Sequence, residues 1–282
     1  MIDTTAASTA RMLRTRGAPV EYWFLKVNGT GLAFLADFIV RRARPAAEIR
    51  LSYWVRGAGR VHHDVRESWE IDGSTVRIGD GVFTDTATSG VSGDVRWDLR
   101  YRLGPRWLDP GGLGAKLLAF DTQIVLSPGA RVSGEVIVGG EKFAFDDAPA
   151  VACHYWSRRL PDRWVWLSAN TRDLDVEALF SRTRVGRLPW PRLSVAYVYV
   201  ADATSTRYVI SPLNGIARAT GTADEIRVRT WSPRGSIAVR VSRNGAANND
   251  IGEGITQTLL ADASVDGHEL RGCVGLETRG WS

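Results

Sequence analysis

Few residues in this chain are placed to do chemistry, and most of them sit among tryptophans. His154 stands in the run His154-Tyr155-Trp156, and beyond a turn at Pro161-Asp162 comes Trp164-Val165-Trp166. Alternate side chains of an extended strand share a face, so His154 lies beside Trp156, and Trp164 beside Trp166. Eleven tryptophans in 282 residues is a heavy load. Two readings follow. The indoles fill the closed end of a small barrel, or they form a flat aromatic wall for a large apolar or conjugated ligand. On the second reading Trp23, Trp97, Tyr155, Trp156, Trp164 and Trp166 are the candidate substrate-binding residues. Aromatic neighbours desolvate His154 and favour its neutral form, which suits proton transfer or one orienting hydrogen bond. A backbone carbonyl satisfying the ring is the plain alternative. Glu277, in Gly275-Leu276-Glu277, is a charge in a mostly apolar terminal strand. Facing outward it is merely solvated; facing inward it pairs with an arginine or acts as an acid. His154 and Glu277 are therefore the candidate catalytic residues.

Other chemistries find little support. Gly111-Gly112-Leu113-Gly114 is not followed by the Lys-Ser/Thr pair of a phosphate loop, and no G-x-S-x-G elbow occurs. His62-His63-Asp64 places its two histidines on opposite faces of a strand, and the chain has four histidines in all, so a metal site is not expected. No cofactor motif is present, and none is expected. Cys153 and Cys273 have no redox or zinc spacing; one disulfide between them is possible, and two buried free thiols are the plainer reading. The net charge of +5 raises nucleic acid or an anionic membrane as a partner. Against this, the charge is almost all arginine, Lys26, Lys116 and Lys142 being the lysines, and it is dispersed among Asp and Glu. Nucleic acid is therefore not an expected partner. Met1–Gly17 lacks the apolar core of a secretory signal, and no run is long and apolar enough for a transmembrane helix. A bacterial cytoplasm is the expected address.

The elements that must position these residues are strands. Val95, Trp97, Leu99 and Tyr101 alternate with Arg96, Asp98, Arg100 and Arg102, which predicts a half-buried strand over 94–102. Segments 130–138, 192–201, 225–231 and 236–243 read likewise. Asn28-Gly29, Asp72-Gly73, Asp80-Gly81, Asn244-Gly245 and Asp266-Gly267 are turn dipeptides suited to hairpins, so the strands are antiparallel. Asp173–Arg184 is the stretch that best fits a short helix, with Val176, Leu179 and Phe180 on one face; Leu113–Phe120 is a weaker candidate. The break at Asp146-Asp147-Ala148-Pro149 suggests two domains, 1–147 and 148–282, each the size of one small barrel. No residue-level repeat relates them.

Several of these segments together resemble the double-lipocalin superfamily, which includes carotenoid 1,2-hydratases, tocopherol cyclases and fungal decalin-forming Diels–Alderases. The resemblance rests on Glu21-Tyr22-Trp23-Phe24, the Gly- and Asp-rich hairpin from Ser68 to Asp98, the His-x-Trp and Trp-x-Trp of 154–166, and Gly275-Leu276-Glu277. It implies an all-β fold of two tandem lipocalin-like barrels, a terpenoid, polyene or polyketide ligand, and catalysis without a cofactor. One departure matters. The hydratases of the group tend to carry an Asp before the His, where this chain reads Val151-Ala152-Cys153-His154-Tyr155-Trp156, and Asp147 is out of register. Hydration therefore loses its evident acid, while cyclisation and isomerisation stay open. The expected function is binding of a hydrophobic small molecule, with a cofactor-free cyclisation, isomerisation or hydration upon it. A non-catalytic lipid or isoprenoid carrier and a surface-binding β-sandwich are the alternatives.

Overall fold

The computed structural model describes residues 13–104, 109, 122–158, 160–183, 193–211 and 213–281. It is all-β among these residues. Eleven strands form the first sheet: β1 (Val20–Gly29), β2 (Leu32–Arg41), β3 (Ala47–Val55), β4 (Ala58–Arg66), β5 (Trp69–Asp72), β6 (Thr75–Ile78), β7 (Gly81–Phe83), β8 (Ala87–Ser92), β9 (Val95–Arg102), β10 (Thr122–Val138) and β11 (Glu141–Ser157). The second sheet takes β12 (Arg163–Asn170), β13 (Leu174–Thr183), β14 (Leu193–Asp202), β15 (Thr206–Ser211), β16 (Ile216–Gly221), β17 (Glu225–Trp231), β18 (Ala238–Ser242), β19 (Asn249–Asp250), β20 (Ile255–Val265) and β21 (His268–Arg279).

Each sheet curls into a nearly closed antiparallel barrel, and both close by the same device. The long last strand of each unit returns to pair with its first: β11 with β1, and β21 with β12. From that seam the first sheet runs β1-β2-β3-β4 one way and β10-β9-β8 the other; the second runs β12-β13-β14-β15 and β20-β18-β17-β16. The repeat absent at residue level is present in topology. Two barrels are the tandem lipocalin-like architecture, and the β-sandwich alternative gives way.

Alternation decides what each strand buries. β9 has the burial order expected, with Val95, Trp97, Leu99 and Tyr101 inside and the intervening charges exposed. The first core gathers Trp23, Phe34, Phe38, Phe83 and Trp97. The second is made of smaller side chains, among them Val165, Leu167, Val176, Val198, Val228 and Val241.

Two expectations are corrected. The stretch predicted as a helix is strand β13. Val176, Ala178 and Phe180 enter the core, while Asp175, Glu177 and Leu179 take the other face. Pairing with β12 and β14 over eight and ten registered positions outweighs the weak helical spacing. The seam expected after residue 147 falls inside β11, and the two compact units part between Leu160 and Pro161. The Asp-Asp-Ala-Pro stretch marks a bulge instead: the β10–β11 register shifts between Val132 and Gly134, and Asp147 there has φ +47°. Leu113–Phe120 lies outside the described residues.

Candidate functional site

The sequence-predicted residues fall into two clusters, one in each unit. In the first, antiparallel register sets Trp23 opposite His154 and Glu21 opposite Trp156, so all four share a face. The His154 ring stacks on Trp23 at 4.6 Å with 9° between planes, and Trp156 tilts against it at 4.9 Å. Nε2 of His154 lies 3.0 Å from Oε2 of Glu21, and both side chains are wholly buried. Glu21 also accepts hydrogen bonds from Thr15 Oγ1 (2.9 Å), the amides of Arg16 (2.9 Å) and Ala18 (3.1 Å), and Arg42 Nη2 (3.1 Å). Burial alone would raise the Glu21 pKa. The bonds from His154, Arg16 and Thr15, with the charge of His154, outweigh it and hold the carboxyl at about 2.

This knot fastens the segment ahead of β1. Leu13 is buried in the core, its carbonyl accepts from Trp23 Nε1 at 2.7 Å, and the Arg16 guanidinium lies 5.0 Å over the Trp156 ring. Tyr155 points to the opposite face, edge-on to Tyr22 at 5.5 Å. Trp97 is set deeper in the core against Phe34 and Phe38, and its Nε1 donates to Thr88 Oγ1 at 3.0 Å. Asp147 is exposed and faces Arg102 at 3.4 Å, away from His154's partners.

The second cluster forms on the face of β12 opposite the valine core. Cross-strand register aligns Gln257, Glu277, Trp166, Leu179 and Tyr197 in one row over five strands. The adjacent row holds Ser168, Glu177 and Tyr199. Glu277 is half-buried. Its Oε1 accepts from Trp164 Nε1 and its Oε2 from Gln257 Nε2, each at 2.8 Å. Two neutral donors thus fix both carboxyl oxygens in place. Arg279 lies 5.2 Å over the Trp164 ring and donates to the Pro161 carbonyl. Arg243, buried, is bonded to Thr278 Oγ1 and three other oxygens. Burial lowers its pKa, while the charges of Asp224 and Glu277 work the other way. Glu177 is fully buried and accepts from Ser168 Oγ (2.7 Å) and Asn170 Nδ2 (3.2 Å).

Sequence reasoning missed Glu21 and Glu177 as site residues. Nothing local could pair Glu21 with a histidine 133 positions later. Glu177 did carry a signal: Leu174-Asp-Val-Glu-Ala-Leu-Phe-Ser alternates with period two, and reading it as helical scrambled its faces. Cys153 is buried and Cys273 half-buried, both as thiols. Among the described residues, no three His, Cys, Asp or Glu side chains converge as metal ligands would, and no helix is long and apolar enough to cross a membrane.

A family model for tocopherol cyclase-like proteins matches residues 70–220, more than half of the chain. Solved structures share the fold at low identity. A Nitrosomonas europaea protein assigned as AttH is 17% identical, with 95% of this chain and 94% of that one covered at a TM-score of 0.67. Kievitone hydratase from Nectria haematococca is 15% identical, covering 100% and 94% at 0.65. CghA, solved with Sch210972, is 9% identical, covering 94% and 89% at 0.65. No curated protein matches the chain in sequence. The chain belongs to the tocopherol cyclase-like family.

Proposed function

We propose that this tocopherol cyclase-like chain binds a hydrophobic small molecule of terpenoid, polyene or polyketide type and carries out a cofactor-free acid–base step on it. The observation that carries this reading is the Glu277 carboxyl, held from both oxygens by neutral donors on a face bearing Trp164 and Trp166. Cyclisation, isomerisation and hydration of an alkene share one opening step, protonation of the double bond. Glu277 gives the proton, and the π faces of the indoles favour the carbocation that forms. An internal hydroxyl or a water then attacks, or a neighbouring C–H loses its proton. In each case a proton from the attacking O–H or the neighbouring C–H returns to Glu277, so the carboxyl is restored; hydration consumes one water, and cyclisation and isomerisation consume nothing. The family's name and the hydratase among the structural relatives are in keeping with such chemistry.

A second reading places proton transfer at His154. Its support is the 3.0 Å contact with Glu21, since an adjacent carboxylate makes an imidazole a stronger base. It requires residues 13–18 to move, because His154 has no exposed surface.

The test is turnover and binding measured together against a panel of prenylated quinols, polyenes and polyketides. Glu277→Gln should cut kcat by about 10²-fold or more while affinity, read by tryptophan quenching, holds. Turnover that survives Glu277→Gln and dies in His154→Gln moves the chemistry to the first unit. Binding without turnover in the unaltered protein makes it a carrier.

A further inference from the structure

The outward face of β16, β17 and β18 sets arginine against arginine, and of the two opposed pairs one has a carboxylate partner among the described residues. Ile226, Val228 and Thr230 of β17 turn inward, so Arg227, Arg229 and Trp231 turn out. Register sets Arg218 of β16 directly opposite Arg229, and Arg227 directly opposite Arg240 of β18. Like charges facing each other across a ladder repel. Glu225 bridges Arg227 and Arg240 at 2.7 Å to each, and the charge of Glu269 also acts on Arg240. Arg218 and Arg229 have no ion pair among the described residues. The next row along the same strands is apolar: Ile216 lies opposite Trp231, exposed at 64% and 63%, with Leu213 at 50% in the turn before β16.

We infer that this face docks the protein on an anionic lipid surface, Trp231, Ile216 and Leu213 entering the headgroup boundary and Arg218 and Arg229 meeting lipid phosphates. Tryptophan favours the membrane interface, and arginine reaches the surface while burying its stem. Electrostatic attraction combined with a small apolar insertion is how peripheral proteins bind anionic bilayers. A nucleic acid would satisfy the arginines but gain nothing from two aliphatic side chains. The inference stands apart from the reading of Glu277.

The experiment is flotation of the full chain with phosphatidylcholine vesicles, with and without phosphatidylglycerol. Binding should require the anionic lipid and fall with added salt. Each arginine contributes about fivefold to partitioning, so Arg218→Glu with Arg229→Glu should lower it by at least about tenfold. Quenching by bromine-labelled acyl chains should disappear in Trp231→Leu. These positions are exposed, so unchanged thermal melts confirm that the variants are folded. Absence of flotation by the unaltered protein, or equal flotation by the double variant, overturns the inference. So does a dimer in light scattering that Trp231→Ala converts to monomer without any vesicle binding.

Discussion

Glu21 gathers contacts from Thr15, Arg16, Ala18, Arg42 and His154, and its chemistry makes a pH-dependent prediction. Its carboxyl titrates at about 2 in the folded chain against an ordinary 4.5. A depressed folded pKa means that its stabilisation is complete above pH 4.5 and is lost as pH falls towards 2. The contribution is on the order of 3 kcal/mol. Thermal melts of Glu21→Gln should therefore lie below those of the unaltered protein at neutral pH and converge with them on acidification. Parallel melting curves across that window would show that the carboxylate is not the group being titrated. Trp164 offers a milder test at the same scale. Trp164→Phe removes the indole donor to Glu277 Oε1 while keeping an aromatic wall. Turnover should then fall by about tenfold with affinity little changed.

Strands and turns carry the next set of constraints. The β10–β11 bulge rests on Gly134, whose φ is +133° and whose added Cβ would lie 2.2 Å from the Asp98 carbonyl oxygen. That neighbour is backbone of β9 and cannot yield without breaking the ladder. Gly134→Ala should cost about 3 kcal/mol or more, read as a lower urea midpoint. The Asp266-Gly267 turn joins β20 to β21 with both residues at positive φ, the backbone that a two-residue hairpin demands. Here the dipeptide in the sequence and the turn coincide. Asn28-Gly29 instead belongs to β1, and the turn falls two residues later at Thr30-Gly31.

At the scale of the whole molecule, the architecture is two barrels of like topology, each with its own core. A ligand that binds the folded chain alone must stabilise it. At a hundredfold excess over Kd the gain is about 2.7 kcal/mol, and it should raise the Tm. A hydrophobic ligand that quenches tryptophan emission without raising the Tm would be adsorbing to the surface rather than occupying a site.

Much of this was legible in the residues themselves. Alternation in Val95–Arg102 determined a half-buried strand, and the same rule placed His154 with Trp156 and Trp164 with Trp166. Side-chain direction along one strand is a local property of the backbone, so sequence carries it. The all-β class and the superfamily resemblance followed from such segments taken together. Pairing is not local. Only the register of β1 on β11 brought Glu21 to His154, and only β20, β21 and β12 side by side brought Gln257 and Trp164 to Glu277. The same holds for charge. Arg218, Arg229, Arg227 and Arg240 look dispersed along the chain, yet they stack as opposed pairs once β16, β17 and β18 align. Hydrogen bonding between strands fixes those neighbours, and it joins residues that local spacing along the chain does not bring together. A single sequence records which residues alternate, and the ladder alone decides which of them meet.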